Sequence, residues 1–218
     1  MRKTCCILAI ILLPFISHAE PHNLAVLKQQ LSHYYDTGEY YDDISNIEKK
    51  ALSYLRFRIN QNKHATHKCK LAIVLDIDET SLSNYNNMRK LSFGGTKEEI
   101  YTDIDKGNDP AIPFTHTLYS YAINHGVAVF FVTGRKEKFR TSTVKNLKNV
   151  GFATYKNLYM EPNNYNKSSA VPYKVAMRKK IIKDGYDIVV NIGDQYSDLQ
   201  GGLADMAFKL PNPFYIVQ

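Results

Sequence analysis

Residues 71–81 read LAIVLDIDETS, an unbroken apolar run that leads into Asp76, Asp78 and Thr80 at alternate positions. A short continuous apolar run is typical of a strand buried on both faces of a parallel sheet. Open parallel sheets bind their ligands at the carboxyl ends of the strands, so both carboxylates are expected at that edge. Because neighbouring carboxylates repel each other and resist burial, a cation or a proton has to share the site.

Four further segments are predicted to be strands of the same sheet. They are residues 127–132, 157–160, 187–192 and 207–210, the last of them an edge strand. Segments with helical periodicity separate them, including one that Pro172 opens at its first turn, with Val175, Ile181 and Ile182 predicted on its buried side. Strands that alternate with helices predict an α/β fold with a Rossmann-like parallel sheet flanked by helices.

Residues 1–19 are predicted to be a signal peptide. Arg2 and Lys3 precede an apolar segment, residues 5–16, that is too short to span a bilayer comfortably, and small residues precede a cleavage point after Ala19. No cysteine lies at that point to carry a lipid. We therefore expect an exported protein, periplasmic or secreted, without a stable membrane anchor after cleavage, in which residues 20–218 form a single domain.

Two segments are expected to form a small helical cap or lid. Residues 20–66 predict two helices, the first capped by Asn23 and the second by Asp42 or Asp43. Residues 83–110 are polar and rich in turn formers, and they are too long for a plain loop, so they predict an insertion above the active end of the sheet.

Other features of the sequence have plain structural interpretations, which we favour. Tyrosines 34, 35, 40 and 41 could stack on a substrate base, but packing is the commoner role.

The net charge of +7 comes from scattered Lys and Arg, which indicates a solvated basic surface that attracts anions, not a groove for a nucleic acid polymer. Cys69 is the one cysteine outside the signal peptide and is expected to be buried. Cys69, His64 and His67 could supply three ligands to a zinc ion, but no fourth ligand is apparent, so we do not predict a zinc site there.

Three later positions supply groups that bind phosphate. Thr133, Gly134 and Arg135 follow the second strand, where a hydroxyl, a closely approaching backbone and a guanidinium can meet an anion; Arg135 is a candidate substrate contact. Lys174 lies in the first turn of a helix, against the preference of the helix dipole, which hints at a functional role. Lys167, in the preceding loop, is the alternative candidate for neutralising a phosphate oxygen.

Two further acids follow the fourth strand, after Gly193. Asp194 is placed to complete an oxygen-rich Mg²⁺ site with the acids of the first strand. Asp198, four residues on, is expected to support that site from outside or through a water molecule.

Four ordered motifs resemble those of the haloacid dehalogenase (HAD) superfamily of phosphatases. They are residues 76–80 (DIDET), 133–135 (TGR), Lys174 and residues 193–198 (GDQYSD). Four stretches resemble the acid phosphatase branch, subfamily IIIB: residues 75–84, the Tyr173-Lys174 pair, residues 193–199 and residues 208–213 (FKLPNP). That branch includes bacterial secreted acid phosphatases and plant vegetative storage proteins.

The resemblance implies a mechanism for small phosphomonoesters. Asp76 would attack phosphorus and form an aspartyl-phosphate, and Asp78 would act as general acid and then base, which favours activity below neutral pH. Mg²⁺ would be held by the carboxylates of Asp76 and Asp194 and the backbone carbonyl of Asp78, while Thr133 and Lys174 would hold the phosphoryl oxygens. A 5′-nucleotidase, a phosphotransferase and a storage or binding protein without activity are the alternatives.

Overall fold

A computed structural model describes residues 20–217, and the predicted signal peptide lies outside them. The fold is built on one five-stranded sheet, in which every neighbouring pair is parallel. The strands are β1 (Lys70–Leu75), β2 (Ala128–Lys136), β3 (Asn157–Glu161), β4 (Tyr186–Gly193) and β5 (Met206–Lys209), in the spatial order β3-β2-β1-β4-β5. The predicted α/β class and parallel sheet are confirmed.

The helices of the described residues lie between and before these strands. They are α1 (Leu24–Asp36), α2 (Glu39–His64), α3 (Tyr85–Lys90), α4 (Lys97–Lys106), α5 (Pro113–Asn124), α6 (Arg140–Asn149), α7 (Val171–Lys183) and α8 (Tyr196–Leu199). No helix among residues 20–217 has the length and the apolar character to cross a membrane.

The central strand is buried on both faces, as its apolar run predicts. Leu71, Ile73 and Leu75 belong to a large core that includes residues of α2 and α5, whereas Ala72 and Val74 belong to a second core under α7. The strand order reverses between β1 and β4, so the tips of these two strands flank the crevice in which open parallel sheets bind ligands.

The N-terminal helices differ from the prediction in where the second one begins. Asn23 caps α1 as expected, with its side chain accepting a hydrogen bond from Ala25 N at 2.9 Å. The second helix, however, begins at Glu39 and not near Asp42. Gly38 precedes it with φ of 90°, a backbone conformation that glycine adopts without strain. This early start places Tyr40 inside the core.

The four N-terminal tyrosines pack against one another and against other aromatic rings. The ring of Tyr35 stacks on that of Tyr85 at 3.4 Å between centroids, and Phe214 lies 5.4 Å from Tyr40. Tyr34 and Tyr41 contact Tyr40 as well. Their role in the structure is therefore packing, in agreement with the plainer interpretation.

Three local predictions were wrong. Cys69 is exposed, because the polar segment before β1 lies at the surface and only its backbone is held, by Asn62. Ile182, predicted on the buried side of α7, is 41% exposed. The second strand does not end before Thr133; it continues to Lys136 and pairs with Glu161 after a shift in register.

The segment 83–110 is more regular than its polar sequence indicated. It contains α3 and α4, and α4 begins with a capping box in which Thr96 and Glu99 exchange hydrogen bonds. Glycine at position 107, with φ of 58°, ends α4.

Candidate functional site

A tight turn directly after β1 determines where the first acids point. Asp76 still pairs with β4, donating its backbone N–H to Ile192 O at 3.0 Å. The chain then turns back, with Ile77 O accepting from Ser81 N and Leu82 N at 2.8 Å each. Glu79, in the middle of the turn, has φ of 52°, a conformation that non-glycine residues seldom adopt and that often marks a functional site.

Lys174 joins two of the predicted acids. Its Nζ donates to Asp76 Oδ1 at 2.8 Å and also contacts Asp198 Oδ1. All three side chains are at least nine-tenths buried. The lysine that runs against the helix dipole at the start of α7 is therefore held by carboxylates from the tips of β1 and of the loop after β4.

Asp194 completes a group of three carboxylates at the ends of β1 and β4. One oxygen each from Asp76, Asp194 and Asp198 lies within 4.8 Å of the other two. Asp198, expected outside the metal site, thus lies beside the other two acids, whereas the carboxylate of Asp78 is not in this group. Within residues 20–217, no other cluster of three or more His, Cys, Asp or Glu side chains has this spacing.

Gly193 allows the close approach of Asp198 to β4. A Cβ atom at position 193 would lie 2.2 Å from the Asp198 side chain, which no real contact permits. The glycine of the predicted GDQYSD motif is therefore required by the packing of the acid five residues later.

The electrostatics of this group suit a divalent cation. Three ionised carboxylates and the ammonium of Lys174 leave an excess of two negative charges in a buried site. Burial, reinforced by the charge of Asp198, raises the pKa of Asp76, and the same causes raise the pKa of Asp194 to about 6. Carboxylate oxygens are the ligands that Mg²⁺ prefers, so the residues fit such an ion.

Lys174 stays charged despite its burial. Burial alone would lower the pKa of its ammonium, but the neighbouring charges of Asp198 and Asp76 raise it above its ordinary value. A fixed positive charge therefore lies beside the Asp76 carboxylate.

Asp78 belongs to a second, separate buried group. Arg135 Nη2 donates to Asp78 Oδ1 at 2.7 Å and to Asp109 Oδ2 at 3.2 Å. Asn84 Nδ2 donates to the same Asp78 oxygen at 2.8 Å. Burial favours the protonated carboxyl, but Arg135 and Asn84 outweigh it and lower the pKa of Asp78. The guanidinium of Arg135, which was predicted to contact the substrate, therefore donates hydrogen bonds to two carboxylates.

The remaining predicted phosphate-binding residues lie at the tip of β2 or near it. Thr133 is fully buried and its Oγ1 accepts from Arg135 N at 3.1 Å. Gly134 lines the cavity described below, with open space where a Cβ would lie. Lys167 also lines that cavity, but it makes no hydrogen bond to Asp76 or Asp198, in contrast to Lys174.

A cavity of about 800 Å³ opens above the carboxylates. Asp76, Asp78, Lys174 and Asp194 line its floor. One wall comes from the segment 83–110, and its apolar side chains are Met88, Leu91, Phe93, Ile100 and Ile104. The C-terminal segment also lines the cavity, with Phe214, Tyr215, Ile216 and Val217. The N-terminal helices, expected to shape this pocket, contribute no lining residue to it.

Several residues that contact the site were given no individual role from the sequence. Asn84 and Asn212 lie inside stretches that resemble the family, whereas Asp109 does not, and all three are in irregular segments without periodicity. Thr80 was part of the motif, and its Oγ1 donates to Asp194 Oδ1 at 3.1 Å. Thr80 lies two residues after Asp78, so the alternation that links Asp76 and Asp78 could have identified it as a residue of the site.

Comparison with known proteins agrees with this arrangement. Residues 16–218 match the family model described as HAD superfamily, subfamily IIIB (acid phosphatase). The chain is 37% identical over 191 residues to a stem 28 kDa glycoprotein of Glycine max, covering 84% of this chain and 72% of that protein. It is 35% identical to acid phosphatase 1 of Solanum lycopersicum, with coverage of 66% and 58%, and 33% identical to vegetative storage protein 1 of Arabidopsis thaliana, with coverage of 82% and 66%.

Among solved structures, the class C acid phosphatase from Bacillus anthracis has the same fold. Its TM-score is 0.67 at 23% identity, with 88% of this chain and 86% of that one covered. The family match confirms the resemblance carried by the four motifs. The chain belongs to the HAD superfamily, subfamily IIIB, the acid phosphatase family.

Proposed function

We propose that this protein is an exported, Mg²⁺-dependent acid phosphatase that hydrolyses phosphomonoesters through an aspartyl-phosphate on Asp76. One observation carries the proposal: Asp76 lies buried at the floor of the cavity, 2.8 Å from Lys174 Nζ and within 4.8 Å of two further carboxylates. Lys174 and a bound divalent cation would together keep the Asp76 carboxylate ionised in spite of its burial.

The first step forms a bond between an Asp76 oxygen and phosphorus and breaks the bond to the leaving alcohol. Lys174, fixed beside Asp76, neutralises charge on the phosphoryl oxygens, and Thr133 with the backbone at Gly134 holds them on the side of β2. Bound Mg²⁺, held by Asp76, Asp194 and the Asp78 carbonyl, with Asp198 beside them, would offset the remaining negative charge.

Asp78 moves the protons in both steps. It gives its proton to the leaving oxygen, and then takes one from the water that attacks phosphorus and releases inorganic phosphate from Asp76. Asp78 lines the same cavity as Asp76 and is partly exposed, whereas Arg135 behind it is buried. Arg135 and Asn84 therefore orient the carboxyl towards the leaving group.

The segment 83–110 is proposed to act as a small cap over the leaving group. The apolar wall that it contributes faces the charged floor, which excludes water from the side where the alcohol departs. Its aromatic and aliphatic side chains suit a leaving group with an apolar face, so aryl phosphates and nucleoside monophosphates are the substrates to test first.

A screen of phosphomonoesters tests this function. The purified protein should release phosphate at acidic pH with added Mg²⁺, and excess chelator should abolish the release. A competing alcohol in the same reactions separates hydrolysis from phosphotransfer, since transfer yields a new phosphomonoester. No release from any ester with Mg²⁺ present would favour the storage-protein alternative that some relatives' names suggest.

Export is tested separately. Sequencing the amino terminus of the mature protein should give Glu20 as the first residue, as cleavage after Ala19 predicts. Retention of Met1 in the exported protein would contradict it.

A further inference from the structure

The segment that follows β5 runs back across the site to Asp194. Leu210 N donates to Gly193 O at 2.9 Å and Leu210 is fully buried, which fixes the start of the segment. Phe214 is also buried, with its ring 5.9 Å from that of Phe93 and stacked on it. Residues 211–213 are therefore held from both sides.

Asn212, between these two anchors, donates directly to a predicted metal ligand. Its Nδ2 lies 2.7 Å from Asp194 Oδ2. Its Oδ1 accepts from Phe214 N at 2.9 Å and from Tyr215 N at 3.3 Å. Because backbone N–H groups only donate, the amide oxygen must face them, and the NH₂ group must face Asp194.

Gln195 repeats this arrangement on the same oxygen. Its Nε2 donates to Asp194 Oδ2 at 2.7 Å, and its Oε1 accepts from Val217 N at 3.0 Å. Both amides are thus oriented by backbone N–H groups of residues 214–217. Together they occupy Asp194 Oδ2, while Thr80 is the partner of Oδ1.

We propose that Asn212 is a positioning residue for Mg²⁺ binding. By holding Oδ2 from the side of residues 211–217, it fixes the rotation of the Asp194 carboxylate and leaves Oδ1, which among residues 20–217 accepts only from Thr80, to bind the metal ion. Partners that orient a metal-binding carboxylate typically affect metal affinity by about 10–100-fold. This inference rests on the proposed function, because it takes the three carboxylates to be the metal site.

Two substitutions separate positioning from folding. Asn212→Ala removes both the contact with Asp194 and the turn that the side chain makes with residues 214 and 215. Asn212→Ser retains a hydroxyl oxygen that can accept from the following N–H groups, but it is too short to reach Asp194. The matched control is Asn62→Ala, which removes an asparagine with two hydrogen bonds to the Cys69 backbone at the opposite edge of the sheet.

Isothermal titration with Mg²⁺ alone, without substrate, measures the effect. We expect the Kd for Mg²⁺ to rise by about 10-fold or more in both Asn212 variants and to stay unchanged in Asn62→Ala. Thermal unfolding without metal reports folding independently, and Asn212→Ser should unfold within a few degrees of the wild type.

The outcomes distinguish this inference from the function it rests on. If the wild type binds Mg²⁺ and Asn212→Ser binds it within twofold of the same affinity, the positioning role is wrong while the phosphatase proposal stands. If the wild type itself binds no Mg²⁺, the proposed metal site is wrong. Both the Mg²⁺ dependence of the proposed function and the positioning role of Asn212 are then contradicted.

Discussion

Two buried groups at the same edge of the sheet share one design: a cation held between two carboxylates. In the Lys174 group, Lys174 lies between Asp76 and Asp198; in the Arg135 group, Arg135 lies between Asp78 and Asp109. They differ in what surrounds them. Asp194 adds a third carboxylate to the first group, whereas asparagine amides complete the second.

The difference in charge separates their roles. The Lys174 group carries an excess of two negative charges in a buried place, which is stable only with further positive charge or with protons. In the Arg135 group the excess is a single charge, and Asn84 and Asn87 donate to its two carboxylates. The first group is therefore suited to bind a metal ion and a phosphoryl group, and the second to orient an acid.

Removing the central carboxylate of the Lys174 group should have the largest effect. Asp76→Asn removes the nucleophile, so turnover should fall by about 10⁴-fold or more, while circular dichroism shows an intact fold. Rates near those of the wild type in this variant would show that the nucleophile lies elsewhere.

Removing the acid of the Arg135 group should have a smaller effect that depends on the substrate. Asp78→Asn should slow turnover by about 10²–10⁴-fold. With an aryl phosphate, whose leaving group needs little protonation, we expect one rapid equivalent of phenol per enzyme and then a stall, because no base activates the water. Rapid-mixing absorbance measures this burst, and equal slowing of aryl and alkyl esters without a burst would contradict the role of Asp78.

The other two charged members of the Arg135 group, Arg135 itself and Asp109, should move the pH profile set by Asp78 in opposite directions. A general acid works only while it is protonated, so activity falls as the pH rises through the pKa of Asp78, which Arg135 lowers. Arg135→Gln should raise that pKa and shift the high-pH limb of kcat upward by about one unit or more. Asp109→Asn removes a negative charge and leaves the Arg135 guanidinium to Asp78 alone, so it should lower the pKa of Asp78 and shift the high-pH limb of kcat downward. Shifts of the same sign in the two variants would contradict the pairing of Arg135 with both acids.

A buried acid outside both groups should have the smallest effect, on stability alone. Thr115 Oγ1 lies 2.6 Å from Thr80 O and 2.9 Å from Glu48 Oε1. The hydroxyl has one proton and the carbonyl can only accept it, so the contact with Glu48 needs the carboxyl's own proton. Burial raises the pKa of Glu48 from 4.5 to about 7, in agreement with a neutral carboxyl.

This raised pKa makes the folded protein less stable as the pH rises. Between pH 4.5 and 7 the folded state holds a proton that the unfolded state releases, which costs about 3 kcal/mol of unfolding free energy by pH 7. Glu48→Gln keeps a donor for Thr115 and should remove this loss. Urea unfolding at pH 5 and pH 8 measures it, and an identical pH dependence in both proteins would contradict the assignment.

The sequence predicted the parts of the molecule that follow from apolar runs and parallel topology. β1 is an apolar run that ends in alternating acids, and the residues after β2 and β4 had to meet it at the same edge of the sheet. Lys174 was found because it violates a helix preference. Asp109 was missed, and Asn212 was given no role although it lies in the stretch of residues 208–213, because their roles depend on tertiary contacts of irregular segments. The start of α2 was missed because Gly38 permits a tighter connection than two separately capped helices.

Chemical trapping of Asp76 tests the central claim most directly. The protein is mixed with an aryl phosphate and Mg²⁺, quenched within a turnover and treated with borohydride, which reduces an aspartyl-phosphate to homoserine; peptide mass spectrometry then locates the change. We predict homoserine at position 76 in the wild type and none in Asp76→Asn. Steady turnover with position 76 unmodified, or with the phosphoryl group on another residue, would contradict the account.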